Sequence, residues 1–380
     1  MIDKNDSKNE VENDDFILSL EELDSSELIN RGIEYLEQRD EEKFVSIFGL
    51  LRDFNEIGNH EKIVIRKAVY DIYIKNKIFN LNKDVLCIFE KIINSSNKGE
   101  EKLNLVFIRL GINYLKNEKP INCVELHKWL TYFPVQYLNH EPYGEQKYSE
   151  YDLYYYDLFK CICELEVIQN VEIHYPEIIE NIKNEELINF TKYNMCKMFF
   201  AAGKNQEGME ILKNLLLYNR KKYYLYLPLK YKVNDKNFIY SSIIELLQKG
   251  IKKDEQYIYK YIVDWLKENL ESGFYNSINE NVSYDEKKHI QINNYQDFSK
   301  KIFGICKAQI KEILKKGKVV NITKSGNAFI KSLDDNNTMF VSKEYSKRIK
   351  VNQIIEYFEI ESFDDKKKQK SKAAIVLGGI

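Results

Sequence analysis

Proline is scarce, with five in 380 residues, too few for a body made of loops, and Leu, Ile, Lys and Glu dominate instead, which predicts long helices. Long apolar runs are missing too. The closing AAIVLGGI is far shorter than the roughly 20 residues a bilayer span needs. The acidic opening MIDKNDSKNEVENDDF lacks the basic-then-apolar order of a secretion signal, so a cytoplasmic protein with no membrane contact is expected. No GKS or GKT triplet occurs, which removes a phosphate-binding glycine loop. The cysteines (Cys87, Cys123, Cys161, Cys163, Cys196, Cys306) lack any zinc or redox spacing and read as reduced, mostly buried thiols. The histidines (His60, His127, His140, His174, His289) fall in separate elements, and His140 beside Glu141 and Glu145 reads as a surface loop. No enzyme, catalytic residue, metal site or cofactor is expected.

What is present describes a globular chain of two or three domains. The hydrophobic share is 44% and the charged share 31%, enough apolar material for a sizeable core. The net charge of −2 hides an asymmetry: residues 299–380 hold 18 basic and 9 acidic side chains, residues 1–298 hold 39 and 50. The acidic body should repel phosphate, and the basic end should attract it.

Residues 1–15 read as a disordered acidic tail. The first helix is expected at LDSSELINRGIEYLEQ, with Asp24 and Glu27 placed as a capping box. LNLVFIRLGINYL sets Leu103, Phe107, Leu110 and Tyr114 on one helical stripe, and YIYKYIVDWLKENL does the same with Ile258, Ile262 and Trp265. NHEPYGEQKYSEYDLYYYDLFK reads as a loop entering a helix whose tyrosines pack with their hydroxyls outward. Residues 193–251 read as helix, turn, helix, twice, with turns marked by Gly203 and Asn234, 31 residues apart. Met209, Leu212 and Leu216, then Ile243, Ile244, Leu247 and Ile251, line the second helices.

After Gly317 the period changes from helical to alternating. KVVNIT, GNAFIKSL, TMFVSK, NQIIEYFEI and KAAIVL give five short strands, the count of an OB barrel. Alternation turns Ala328, Ile330, Met339 and Val341 inward and Asn327, Phe329, Lys331, Phe340 and Ser342 outward. Two outward phenylalanines need an explanation. Either they stack on unpaired bases, or the preceding helix, with Ile310, Ile313 and Leu314, covers them.

The FFAAGKNQEGMEIL turn resembles that of tetratricopeptide repeats, whose period is about 34 residues. GKV, GNAFI, MFV and the final KAAIVL resemble the cold-shock domain and related RNA-binding OB modules over residues 317–377. That resemblance implies base stacking on Phe329 and Phe340, with Lys318, Lys324, Lys331 and Lys343 meeting phosphates. The pattern departs from the family at Asn327, where an aromatic is usual, at Ser342 and Lys343, where His and Phe are common, and in a first strand without tryptophan.

The expected fold is mainly α: a tetratricopeptide-like solenoid over 16–297, a basic linker helix over 298–316 and a five-stranded cold-shock-like barrel over 317–380. This order of domains resembles helical proteins with a cold-shock-like end that accompany the TOTE phage-conflict systems of bacteria. It implies a non-catalytic adaptor that binds single-stranded RNA or DNA through the barrel and a protein partner through the helices. The alternative is an interaction scaffold whose barrel is structural and binds no nucleic acid.

Overall fold

A computed structural model describes residues 23–38, 40, 43–44, 46–47, 59–71, 81–94, 101–270, 282–284, 290–292, 294–364 and 367–377. The expected tail at 1–15 and His289 lie outside them. The described chain is mainly α with a closed five-stranded barrel at its C-terminal end.

The helices are α1 (Ser25–Glu37), α2 (Asn59–Val69), α3 (Lys83–Asn94), α4 (Glu101–Asn117), α5 (Cys123–Thr131), α6 (Glu150–Leu165), α7 (Ile168–Asn181), α8 (Glu185–Ala201), α9 (Asn205–Tyr218), α10 (Lys222–Lys230), α11 (Lys236–Lys249) and α12 (Tyr257–Asn269). A short hairpin of β1 (Val282–Tyr284) and β2 (Ile290–Ile292) leads to α13 (Tyr295–Gln309). The barrel strands are β3 (Lys315–Ile322), β4 (Ala328–Ser332), β5 (Thr338–Val341), β6 (Ile354–Asp364) and β7 (Gln369–Val376). No helix among the described residues is long and apolar enough to cross a membrane.

Two compact units divide the chain. One is built on the described residues up to Glu166 with Glu180–Asn184, the other on Val167–Ile179 and from Glu185 onward. The division falls among the helices, and the barrel shares its unit with α8–α13.

In the first unit the capping box forms as expected: Asp24 Oδ1 accepts from the Glu27 backbone N–H at 2.9 Å, and Glu27 Oε2 accepts from that of Asp24 at 3.3 Å. The core joins Phe44, Phe89, Phe107 and Trp129. Helix α4 is rotated from the expected stripe. Leu110 and Tyr114 are half-buried, whereas Leu105, Ile108, Ile112 and Leu115 are buried beside Phe107. Gly111 explains the rotation, because a Cβ there would lie 2.2 Å from the Trp129 ring. Gly111→Ala is therefore expected to destabilise the protein by about 1–3 kcal/mol through overpacking, against a helix-propensity gain of about 1 kcal/mol. A thermal melt that rises instead would show that Trp129 can move aside.

In the second unit α8 and α9 meet through a turn at Gly203, whose φ of +75° suits glycine. Helices α10 and α11 pack through the turn containing Asn234, so helix, turn, helix occurs twice. The pairs are unequal, since α8 has 17 residues and α10 only 9. The second-helix apolar residues Met209, Leu212, Leu216, Ile243, Ile244 and Leu247 are buried in one core with Ile262, Trp265 and Phe298.

The lysine-rich helix α13 is part of that core, with Phe298, Ile302 and Cys306 fully covered. All six cysteines are free; Cys161, Cys196 and Cys306 are buried, while Cys87 is exposed, so the buried thiols are half the set. Burial pushes the Cys161 thiol up to about 12, which keeps it protonated and unreactive.

The barrel closes in the order β3-β4-β5-β7-β6, with β6 returning to β3. Its pairs are antiparallel except β5 with β7. Val319, Ala328, Ile330, Met339, Val341, Ile355, Tyr357, Ala374 and Val376 fill the inside, so alternation placed Ala328, Ile330, Met339 and Val341 correctly. On the outer side of β6 and β7, Phe358 and Ile375 enter the helical core, where they meet the cluster that contains Ile310. Burying each is worth about 1.5–3 kcal/mol. The helical core, with α9 packed against β6, therefore covers this outer side of β6 and β7 and leaves Phe329 and Phe340 outside both cores.

Candidate nucleic-acid interface

Register decides which outward residues of the barrel are neighbours. Phe329 on β4 stands directly opposite Phe340 on β5, with ring centroids 5.8 Å apart and planes at 67°. Phe329 is half-buried and Phe340 is 40% exposed. Two residues along, Lys331 stands opposite Lys318 on β3 and Thr338 on β5. Like charges directly opposite each other destabilise a sheet, which makes a lysine pair of this kind a cost unless an anion sits over it.

Two acidic side chains of β6 are engaged elsewhere. Glu359 takes Lys315 at 2.5 Å and Lys372 at 2.9 Å, and Glu356 takes Lys307. Burial works to raise the Glu359 carboxyl, but hydrogen bonds from Lys315 and Lys372 hold it below its ordinary value. Lys318, Lys324, Lys331 and Lys343 are exposed and form no ion pair among the described residues.

The structure brings four of the six expected residues, Phe329, Phe340, Lys318 and Lys331, onto one face. Lys324 lies in the turn that closes between Thr323 and Asn327. Lys343 is held at the edge, because its backbone N–H donates to Asn327 Oδ1 at 2.9 Å and a Cβ on Gly326 would lie 3.6 Å from the Lys343 Cβ. Asn327 thus clamps two loops. Ser346 Oγ adds a bond to the Gly326 carbonyl.

Three outward apolar residues extend this face beyond the expected set. Ile354 on β6, 62% exposed, pairs with Lys318, and Leu333 follows β4 with its N–H on the Lys316 carbonyl at 2.9 Å. Val320 is exposed where the β3–β4 register shifts between Val319 and Asn321. Alternation in NQIIEYFEI could have shown Ile354; the bulge at Val320 left no mark in the sequence.

The loop after β5 is anchored from behind. Tyr345 Oη donates to Glu245 Oε1 at 2.6 Å, and Arg220 donates to the same carboxylate at 2.7–3.0 Å. Glu245 is fully buried. Lys249 reaches Glu344 at 2.5 Å and lies 5.1 Å from the centre of the Tyr345 ring. Burial and then Glu245 push the Tyr345 hydroxyl well above its ordinary value, which keeps it a neutral donor.

Among the described residues no group of three or more His, Cys, Asp or Glu is placed to hold a metal ion. Comparisons with protein-family models, with curated proteins and with solved structures return no match.

Proposed function

We propose that this chain is a non-catalytic adaptor whose barrel binds single-stranded RNA or DNA and whose helical body presents a tetratricopeptide-like surface to a protein partner. The observation that carries this reading is the face where two phenylalanines pair outside both cores beside two opposed lysines with no acidic partner. Rings offer stacking to bases of any sequence, and lysines offer phosphate contacts. The two successive helix pairs support the repeat reading of the body. By resemblance to TOTE accessory proteins, the setting we assign is the bacterial cytoplasm during defence against phage.

The scaffold reading is weakened by the way the barrel docks. It uses β6 and β7 for the helices and keeps the phenylalanine face open. Fluorescence anisotropy of the intact protein with labelled RNA and DNA single strands over a salt series tests the proposal; no binding even at low salt would sink it. With Lys318→Gln and Lys331→Gln together, the dependence of log affinity on log salt is expected to flatten by about 1.4, at about 0.7 for each lost phosphate contact on a single strand. An unchanged slope would remove these lysines from the interface.

A further inference from the structure

A cavity of about 290 Å³ lies in the first unit among α4, the end of α5, α6 and the loop of residues 139–149. Four of its five charged lining groups are already committed to one another. Arg109 pairs with Glu150 through two hydrogen bonds, and Lys116 pairs with Asp157. Asp157 is 8% exposed, and burial holds its carboxyl above the ordinary range despite Lys116. Neither lining cation is free for a phosphate, and Glu141 at the rim adds a negative charge.

The remaining lining has two characters. Phe133 and Tyr154 meet edge to face at 6.3 Å, with the Arg109 guanidinium 5.6 Å from the Phe133 ring centre, and Leu138 and Leu153 continue this apolar wall. At the mouth Tyr143 is 80% exposed, an aromatic ring in position to be covered. The side-chain amides of Asn113, Asn139 and Gln146 stand around it, exposed and without an intramolecular hydrogen bond. Each amide supplies a donor and an acceptor side by side, the pattern that matches the edge of a heteroaromatic base. The volume is at the small end of ligand pockets, which run from about 300 Å³ upward.

We propose that this cavity binds a free nucleoside through its base, with the amino-bearing bases of adenosine, cytidine and guanosine favoured over uridine because the amide oxygens and Glu141 accept from an exocyclic amino group. Flat walls suit the ring, the amides suit its edge, and the committed cations exclude a phosphate. The site belongs to the first unit and stands independently of the barrel's role.

Isothermal titration calorimetry of the full chain with adenosine, cytidine and their 5′-monophosphates tests this, with a d(A) octamer as a third arm. Adenosine or cytidine is expected to bind saturably and about tenfold or more tighter than its monophosphate. Asn113→Ala with Tyr143→Ala, both exposed positions, is expected to weaken that binding about tenfold or more, while Phe329→Ala with Phe340→Ala leaves it unchanged. The proposal fails if neither nucleoside binds up to millimolar concentration, if a monophosphate binds better, or if the barrel variant abolishes nucleoside binding. Loss of octamer binding in the Asn113 and Tyr143 variant would overturn the free nucleoside as ligand and assign the cavity to an unpaired base of a strand.

Discussion

Replacing Phe329 and Phe340 together with alanine is expected to weaken single-strand binding about 30-fold or more and leave the barrel folded. Each base stacked on an aromatic side chain contributes about 1–3 kcal/mol. Two lost stacks therefore cost about 2–6 kcal/mol, and the lower figure is already about 30-fold. The barrel survives because its inside is filled by Ala328, Ile330, Met339 and Val341, none of which changes. The loss in stability is confined to the ring pair itself, about 0.5–1.5 kcal/mol beyond area. The salt slope should stay as in the wild type, since Lys318 and Lys331 remain. Anisotropy titrations at several salt concentrations, with a thermal melt of the same samples, separate these terms. Wild-type affinity in the double variant would mean that the bases lie elsewhere.

Glu245→Ala is expected to destabilise the protein by about 3–5 kcal/mol, the range for removing one partner of a buried ion pair. Glu245 has no exposure and accepts from Arg220 and Tyr345 at once. Without it the Arg220 guanidinium, 18% exposed, and the Tyr345 hydroxyl both lose their acceptor in a site that admits little water. The damage should spread to the barrel loop, because Glu344 and Tyr345 are held to α11 through Glu245 and Lys249. Guanidinium unfolding at unchanged m measures the energy, and hydrogen exchange over residues 342–346 measures the loosening. A cost below about 1 kcal/mol would show that the cluster is dispensable.

Several elements were legible because local periodicity carries them. Strand alternation assigns Ala328, Ile330, Met339 and Val341 to the inside whatever lies around the barrel. The Asp24 and Glu27 box depends on residues three apart, and its bonds form as spacing implies. Helix α4 shows the limit of the same method. Its sequence offers more than one apolar stripe, and the close approach of Gly111 to Trp129 chooses between them. Asn327 shows a second limit. In the sequence it reads only as a departure from the cold-shock pattern, and by position it is the side chain that fixes Lys343.

Composition and period by themselves determined a helical body, five terminal strands, an inward and an outward set of barrel residues, and a basic end on an acidic chain. The tertiary structure decided which outward residues touch. Register placed Lys318 opposite Lys331 and Phe329 opposite Phe340, and packing set α9 against β6, burying Phe358 and Ile375 in the helical core and leaving the phenylalanines outside it. It also decided that Glu245, an ordinary helix acid in the sequence, is buried beneath a barrel loop 100 residues away. The reason is physical: alternation assigns a side chain to a face of its own strand, whereas its neighbour on the next strand depends on register, and register depends on bulges and loops that no local pattern encodes.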